Sequence, residues 1–345
     1  MSSAAQMSQI EFLKRTFIIV AVAVIPFLIW YLFGVVLMAF GAVILAMLLR
    51  LIAEPLVRWL KVPGPLALIV SALIVIGVVL GAGYLFGSQI TSQFQDVVRR
   101  AESARADIHA YLQESDFGKF VLNEISGSTF SVTEILSGVL KVSSRFLEAV
   151  IIMVVTGIYL AAQPRVYRDG LVWLFPPRAH RRAAEVIDEI GHALRLWLIG
   201  QLIEMVLIGA LSALAVWSIG VPSPLALGLI AGIGEFIPYV GPLLAAIPAI
   251  LVALTKSPEA ALWTLFAYLV IHQIEGNIVA PLIQRRMVSI PPAVMLLGII
   301  AITYLFGLVA IIFAAPIVVV IFAAVTVIYV RDTLGEKTAL MRKLR

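Results

Sequence analysis

Residues 290–330 read IPPAVMLLGIIAITYLFGLVAIIFAAPIVVVIFAAVTVIYV, and none of these side chains carries a charge. A helix needs about 20 apolar residues to cross the hydrocarbon core of a bilayer. Apolar stretches of this kind recur upstream as far as residue 17. Strands of a membrane barrel would instead alternate in polarity, so the spans are helical. The sequence therefore predicts an all-α, polytopic integral membrane protein with about eight membrane-embedded helical elements.

The composition supports the same class of protein. The chain has 345 residues, of which 62% are hydrophobic and 13% are charged, whereas soluble domains carry about 25% charged residues. The absence of cysteine excludes disulfides, thiolate metal sites and cysteine nucleophiles. The net charge of +5 needs no nucleic-acid partner, because cytoplasmic loops of membrane proteins collect Lys and Arg.

The distribution of charge predicts how the first part of the chain crosses the bilayer. We expect a cytoplasmic N-terminus at 1–16 and three spans within 17–88, the first two forming a hairpin that turns near Gly34. Residues 89–141 hold more acidic than basic side chains, which predicts an extracytoplasmic helical segment. A fourth span at 142–162 follows.

The second part of the chain begins with a cytoplasmic, basic helical segment at 163–193, which is rich in arginine. We expect a transport core at 194–330 and a cytoplasmic tail at 331–345. Both chain termini are thus predicted to be cytoplasmic.

Two segments of this core are each compatible with two different chain paths. Residues 222–255 are interrupted by proline and glycine, and residues 290–330 are too long for one ordinary span. Each part forms either a long broken span or a hairpin that enters the membrane and returns. In the hairpin alternative Arg285 and Arg286 lie with Arg331 in the cytoplasm, which the positive-inside rule favours.

Ionisable groups inside apolar segments are candidates for function because they are costly in lipid. Glu235 lies in GEFIPYVGP, residues 234–242, where Pro238 and Pro242 lack backbone donors and Gly241 permits unusual dihedral angles. Unpaired backbone at membrane depth lines cavities that bind polar solutes or ions. The alternative is a turn at the membrane surface with a solvated Glu235.

A second group of polar residues lies in the span at 259–283. His272 and Glu275 are three residues apart and therefore neighbours on a helix face, where the pair could carry a proton. Gln273 and Asn277 lie in the same span. The alternative is a hydrogen-bonded cluster that holds helices together.

Gln201 and Glu204 repeat this three-residue spacing in the fifth span and are lesser candidates. No spacing typical of a metal site occurs, and no serine–histidine or paired-aspartate arrangement points to catalysis. We therefore expect neither an enzyme nor a bound metal or cofactor.

The GEFIPYVGP motif resembles the autoinducer-2 exporter (AI-2E) family of bacterial membrane proteins, with Glu235 where asparagine is common. The resemblance extends from the first hairpin to about residue 330. It is also carried by the following residues: Pro176, Pro177, Arg178, Arg195, Gly200, Gln201, Gln273, Glu275, Asn277 and Pro281.

The resemblance implies a permease of the bacterial inner membrane that exports a small polar solute without ATP-binding sequences. Members are associated with quorum-signal export or with sodium/proton exchange. The resemblance also implies a homo-oligomer, which we expect to be a pentamer. Our leading hypothesis is a secondary transporter in which Glu235, Tyr239 and the backbone around Gly241 bind solute, while His272 and Glu275 couple protons or sodium. The alternatives are a cation/proton antiporter and a membrane scaffold that binds a partner through 89–141.

Overall fold

The computed structural model describes residues 32–78, 148–284 and 290–331, and the single positions 24, 80, 81 and 84. These residues are helical or lie in turns, and none of them forms a strand. The all-α class is therefore confirmed. The predictions for the first apolar stretch, for residues 89–141, for Arg285 and Arg286 and for the tail after Arg331 fall outside the described residues.

Helix length and composition identify the membrane-embedded elements. Four helices in the described residues are long and apolar enough to cross a bilayer, and a bent pair, Glu148–Ala162 with Pro164–Trp173, makes a fifth if it is counted as one span. The four are Phe33–Trp59, Pro177–Ile219, Pro258–Ile283 and Leu308–Arg331. The shorter apolar helices are Gly64–Val78, Pro224–Gly234, Val240–Lys256 and Pro292–Phe306.

The N-terminal helices follow the predicted order. Helix α1 is Phe33–Trp59, so it continues beyond the expected end of the second apolar stretch. Helix α2 is Gly64–Val78, and α3 is Glu148–Ala162 within the predicted fourth span. Helix α4, Pro164–Trp173, is turned by 91° from α3. Proline suits the first position of α4 because its missing N–H would have no partner there.

One long helix joins the arginine-rich segment to the predicted core. A short 3-10 turn at Pro177–Ala179 leads into α5, His180–Ile219, which has 40 residues. This length corresponds to about 60 Å. Gly220, with φ of 73°, ends α5 in a left-handed conformation that favours glycine. The predicted boundary between residues 193 and 194 therefore lies inside a single helix.

The interrupted segment 222–255 folds back on itself. Helix α6 is Pro224–Gly234 and α7 is Val240–Lys256. The Lys256 amine donates a hydrogen bond to the carbonyl oxygen of Ile219 at 2.7 Å, so α7 ends beside the end of α5. Residues 235–239, which we call the hairpin tip, connect the two arms at the opposite end. This is the hairpin alternative rather than a broken span.

Small residues let α6 lie against α5. A Cβ added to Gly232 would come within 2.6 Å of the Met205 carbonyl oxygen, and one on Gly228 within 2.5 Å of the Gly209 carbonyl oxygen. Backbones can approach this closely only where side chains are absent. The glycines therefore set the position of the hairpin along α5.

The remaining helices form the end of the core. Helix α8 is Pro258–Ile274 and continues through a π-helical turn at Glu275–Val279 into α9, Ala280–Gln284. Helix α10 is Pro292–Phe306. A 3-10 turn, Leu308–Ala310, begins α11, Ile311–Ala324, which ends in a π-helical turn, Val325–Arg331.

Helices α10 and α11 form the second hairpin. A Cβ on Gly298 would lie 2.5 Å from Cγ2 of Val318, whereas these positions would be about 30 Å apart in one continuous helix. The chain reverses at Gly307, whose φ is 87°. The Arg331 guanidinium then donates to Glu189 of α5 at 2.6 Å. The long segment 290–330 is thus also a hairpin.

Ion pairs mark one end of the helix bundle, which we call the charged end. Arg168 of α4 donates to Asp188 of α5 at 2.7 Å, and Arg195 pairs with Glu54 of α1. Arg331 pairs with Glu189 at this same end. The arginine-rich segment and the last described residue therefore share one end of the bundle. The side of the membrane that this end faces stays a prediction.

Candidate solute and ion site

The hairpin tip forms because the sequence from Gly234 to Pro242 cannot continue a helix. Pro238 offers no N–H, and the Gly241 N–H donates to the Ile237 carbonyl oxygen at 2.8 Å. Tyr239 has a φ of 67°, a conformation that costs a non-glycine residue about 1 kcal/mol or more. Such outliers persist where the surrounding structure holds them and are frequent at functional sites.

Glu235 is the central residue of the tip. Its side chain is buried, with the residue only 1% exposed, and its Oε2 has no hydrogen-bond partner among the described residues. Gln201 Nε2 on α5 donates to the Glu235 carbonyl oxygen at 2.7 Å. Glu235 is thus not solvated at a surface turn. A buried carboxyl oxygen without a partner is costly, which indicates a group that takes up a proton, an ion or a ligand.

Two more carboxyl groups lie near Glu235. Glu204 from α5 and Glu275 from the start of the π-helical turn are both close enough to Glu235 to interact with its charge. Glu275 has a side chain that is 14% exposed. Three elements therefore bring three like charges together, and their repulsion is relieved when a proton or a cation is bound.

His272 and Glu275 are neighbours, as their spacing predicts. His272 Nδ1 lies 3.1 Å from Glu275 Oε2, and the imidazole is about half exposed, at 48%. The π-helical turn begins at Glu275 itself. Such turns occur mostly as local insertions in α-helices and frequently at functional sites. The pair connects the buried carboxyl groups with the outer surface of α8.

A cavity of about 230 Å³ lies between α5, the first hairpin and α8. Tyr239, Pro242, His272 and Glu275 line it on the side of the hairpin tip. Most of its remaining wall is apolar, from residues that include Ile208, Leu243, Ala246, Leu265 and Leu269. This combination of apolar wall and few polar groups is typical of a small-molecule site.

Glu235 and the other predicted residues lie outside the cavity lining. Gln273 at the end of α8 and Asn277 in the π-helical turn are exposed, and Asn277 Nδ2 donates to the Gln273 carbonyl oxygen at 2.9 Å. Pro238 is half-buried in the tip, and Gly241 is buried against the carbonyl oxygen of Gly234. Gln201 and Glu204, the lesser candidates, lie beside Glu235.

Two polar residues of the cavity escaped the sequence reasoning. Ser212 of α5 and Tyr268 of α8 line the cavity, and their buried hydroxyl groups have no hydrogen-bond partner of good geometry within the described part of the chain. They lie close enough to interact with each other. Helical periodicity contained the signal, because Ser212 is eight residues after Glu204 and Tyr268 is four before His272.

Among the described residues, no three His, Cys, Asp or Glu side chains are placed to hold one metal ion together.

Comparison with known proteins relates the chain to transport proteins of several bacteria. It is 31% identical over 166 residues to "Putative transport protein YrrI" of Bacillus subtilis. This match covers 48% of this chain and 47% of that protein. It is 24% identical over 281 residues to "Putative transport protein YueF" of the same organism, with 76% of each chain covered. With "Putative transport protein MT0215" of Mycobacterium tuberculosis the identity is 28% over 282 residues, covering 75% of this chain and 74% of that protein.

The match to a family is longer than any of these. The family described as AI-2E family transporter matches residues 17–330, which include all of the helices described above except the last residue, Arg331. The resemblance based on GEFIPYVGP is thereby confirmed, and the apolar helices agree with a multi-pass membrane protein. This chain belongs to the AI-2E family of membrane transporters.

Proposed function

We propose that this protein is a secondary transporter of the bacterial inner membrane that moves a small polar solute coupled to protons or another cation. The observation that carries the proposal is the buried Oε2 of Glu235, which has no hydrogen-bond partner among the described residues and belongs to the hairpin tip, where Tyr239 lines the cavity. Membership in a transporter family supports transport in general. We propose no enzymatic activity and no metal cofactor.

The size and chemistry of the cavity restrict the solute. A volume of about 230 Å³ admits a small molecule only. Ser212, Tyr239 and Tyr268 offer hydroxyl groups to it, whereas much of the wall is apolar. The solute is therefore small and carries a few hydrogen-bonding groups on a partly apolar frame.

The neighbouring carboxyl groups supply the coupling. Glu204, Glu235 and Glu275 approach one another closely enough for their charges to interact, so a proton or cation that enters the cluster lowers their repulsion. Glu235 lies on the hairpin tip, which interrupts the helices, and Glu275 on the π-helical turn, which is an irregular part of a continuous helix. Relative movement of these two irregular segments would open the site to one side and then the other.

Topology and assembly complete the proposal. With the charged end in the cytoplasm, as the arginines of α4 and α5 favour, both chain termini are cytoplasmic. The family resemblance implies a homo-oligomer, with a pentamer as the assembly to test first.

The test is a flux assay on the full chain reconstituted in liposomes that contain a pH-sensitive dye. We expect a solute from a panel of small polar metabolites and quorum signals to cross the bilayer and to change the internal pH. Liposomes prepared without protein serve as the control. Movement of no solute, together with no response of the dye to any solute, would contradict the proposed function.

A cation/proton antiporter is the second candidate, because the carboxyl cluster and His272 could exchange ions without an organic solute. The same liposomes distinguish the two: a pH change after addition of sodium alone supports the antiporter. The third candidate, a scaffold acting through residues 89–141, predicts that deletion of this segment abolishes function, whereas retained flux weighs against it.

The hydroxyl groups of Ser212 and Tyr268 give a prediction that separates binding from stability. We expect the Ser212→Ala, Tyr268→Phe double variant to keep its thermal stability, because removing both hydroxyls together leaves neither one buried without its neighbour. Solute flux should fall roughly tenfold if these hydroxyls bind solute, at about 1 kcal/mol or less per hydrogen bond. Flux and melting temperature are measured on the same preparation.

The matched control is the Ser218→Ala, Tyr304→Phe double variant. It removes the same hydroxyl groups at exposed positions outside the cavity. Equal flux in the two double variants would exclude Ser212 and Tyr268 from solute binding.

A further inference from the structure

Helix α4 has the features of a helix that lies along a membrane surface. It is turned by 91° from α3, which is apolar and leads into it. Val166 and Trp173 lie seven residues apart on one face of α4 and are exposed, with Trp173 at 79%. Arg165, Arg168 and Val172 share another face at spacings of three and four residues. An amphipathic helix perpendicular to a span places its apolar face in the lipid interface.

A second cavity, of about 490 Å³, lies under this helix at the charged end. Residues of α1, α4 and α5 line it, and the ionisable ones are Arg50, Glu54, Arg165, Arg168, Asp188, His192 and Arg195. The cavity is separate from the candidate solute site, with which it shares no lining residue.

The charges around this cavity are not balanced. Glu54 is paired with Arg195, and Asp188 with Arg168, so both acidic residues are already engaged. Arg50 and Arg165 make no hydrogen bond or ion pair with any other residue in the described ranges. Two arginines thus line one cavity without a partner among the described residues, and guanidinium groups bind the oxygens of phosphate groups well.

We propose that this cavity binds the headgroup of an anionic phospholipid, with Arg50 and Arg165 holding its phosphate. Three observations select a lipid as the occupant: the 91° turn between α3 and α4, the exposed apolar side chains of α4 and the excess of positive charge around the cavity. The acyl chains would lie against the exposed residues of α4, beside the cavity. A bound lipid would join α1, α4 and α5, which meet at this site.

Lipid binding is tested by native mass spectrometry of the full chain in detergent. We expect phosphatidylglycerol to bind more tightly than phosphatidylcholine, whose phosphate is accompanied by a choline cation. The Arg50→Gln, Arg165→Gln double variant should lose about tenfold to thirtyfold in apparent affinity for phosphatidylglycerol, given the usual contribution of each basic residue at an anionic surface. The proposal does not depend on transport activity.

The control is the Arg58→Gln, Arg178→Gln double variant, which removes the same charge from exposed arginines that do not line the cavity. We expect this variant to keep the affinity of the unmodified chain. Equal losses in both double variants would reduce the effect to net charge and overturn the site. Binding of soluble glycerol phosphate as tightly as phosphatidylglycerol would overturn the lipid as the occupant, because the acyl chains would then contribute nothing to affinity. Melting temperatures of both variants verify folding.

Discussion

Replacing Gly241 by alanine is expected to prevent the first hairpin from closing. A Cβ at this position would lie 1.7 Å from the carbonyl oxygen of Gly234 and 2.3 Å from its carbonyl carbon. Both are backbone atoms, so no side-chain rotation relieves the overlap. Overpacking of this kind costs about 3 kcal/mol or more where the backbone must move. We expect a lower melting temperature in detergent and loss of solute flux, since the tip holds Glu235.

Gly170→Ala is the matched control for this prediction. Gly170 lies within α4, and an added Cβ would meet no atom within 4 Å. Alanine there should be neutral or slightly stabilising, because it favours a helix by up to about 1 kcal/mol over glycine. If the Gly241→Ala variant has the same melting temperature as the Gly170→Ala variant and the unmodified protein, the close approach of Gly241 to Gly234 is not required for the fold.

Replacing Glu235 by glutamine is expected to abolish most coupled transport while leaving the fold intact. The substitution keeps the shape of the side chain but removes its ability to ionise. Loss of a charged group that contacts the solute or ion should lower flux by about a hundredfold. Because the Glu235 Oε2 is buried without a partner among the described residues, losing the carboxyl should leave stability unchanged or increase it.

This opposite movement of flux and stability distinguishes binding from a structural role. If the Glu235 carboxyl only supported the hairpin, its replacement would lower the stability of the protein and the solute flux together. Glu259→Gln is the control, since Glu259 is an exposed carboxyl in the first turn of α8, outside the cavity. Both variants are compared by flux of solute, by the pH dye and by melting temperature. Unchanged flux in Glu235→Gln would remove Glu235 from the site.

The chain path at the first hairpin shows how much of the fold can be predicted from local sequence. Proline and glycine at 238, 241 and 242 predict an interruption, and the structure has one there. Whether the chain continues or reverses after such a break depends on what the second arm packs against. Contacts distant in sequence, from Lys256 to Ile219 and from Gly298 to Val318, show the reversal.

The sequence by itself determined that the protein is helical and membrane-embedded, because the length and apolar composition of its segments leave no other way to satisfy the backbone in lipid. It also determined where helices break and which scarce ionisable residues lie in apolar segments. It placed His272 beside Glu275, since a spacing of three residues on a helix is a local property.

Only the tertiary structure decided which of these residues share one site. Glu204, Glu235 and Glu275 come from three elements, and their approach depends on the glycine contacts that position α6 on α5. The same packing turns Ser212 and Tyr268 into the cavity and leaves Gln273 and Asn277 outside its lining. Local spacing fixes the face of one helix, whereas a site between helices is fixed by how their surfaces fit together.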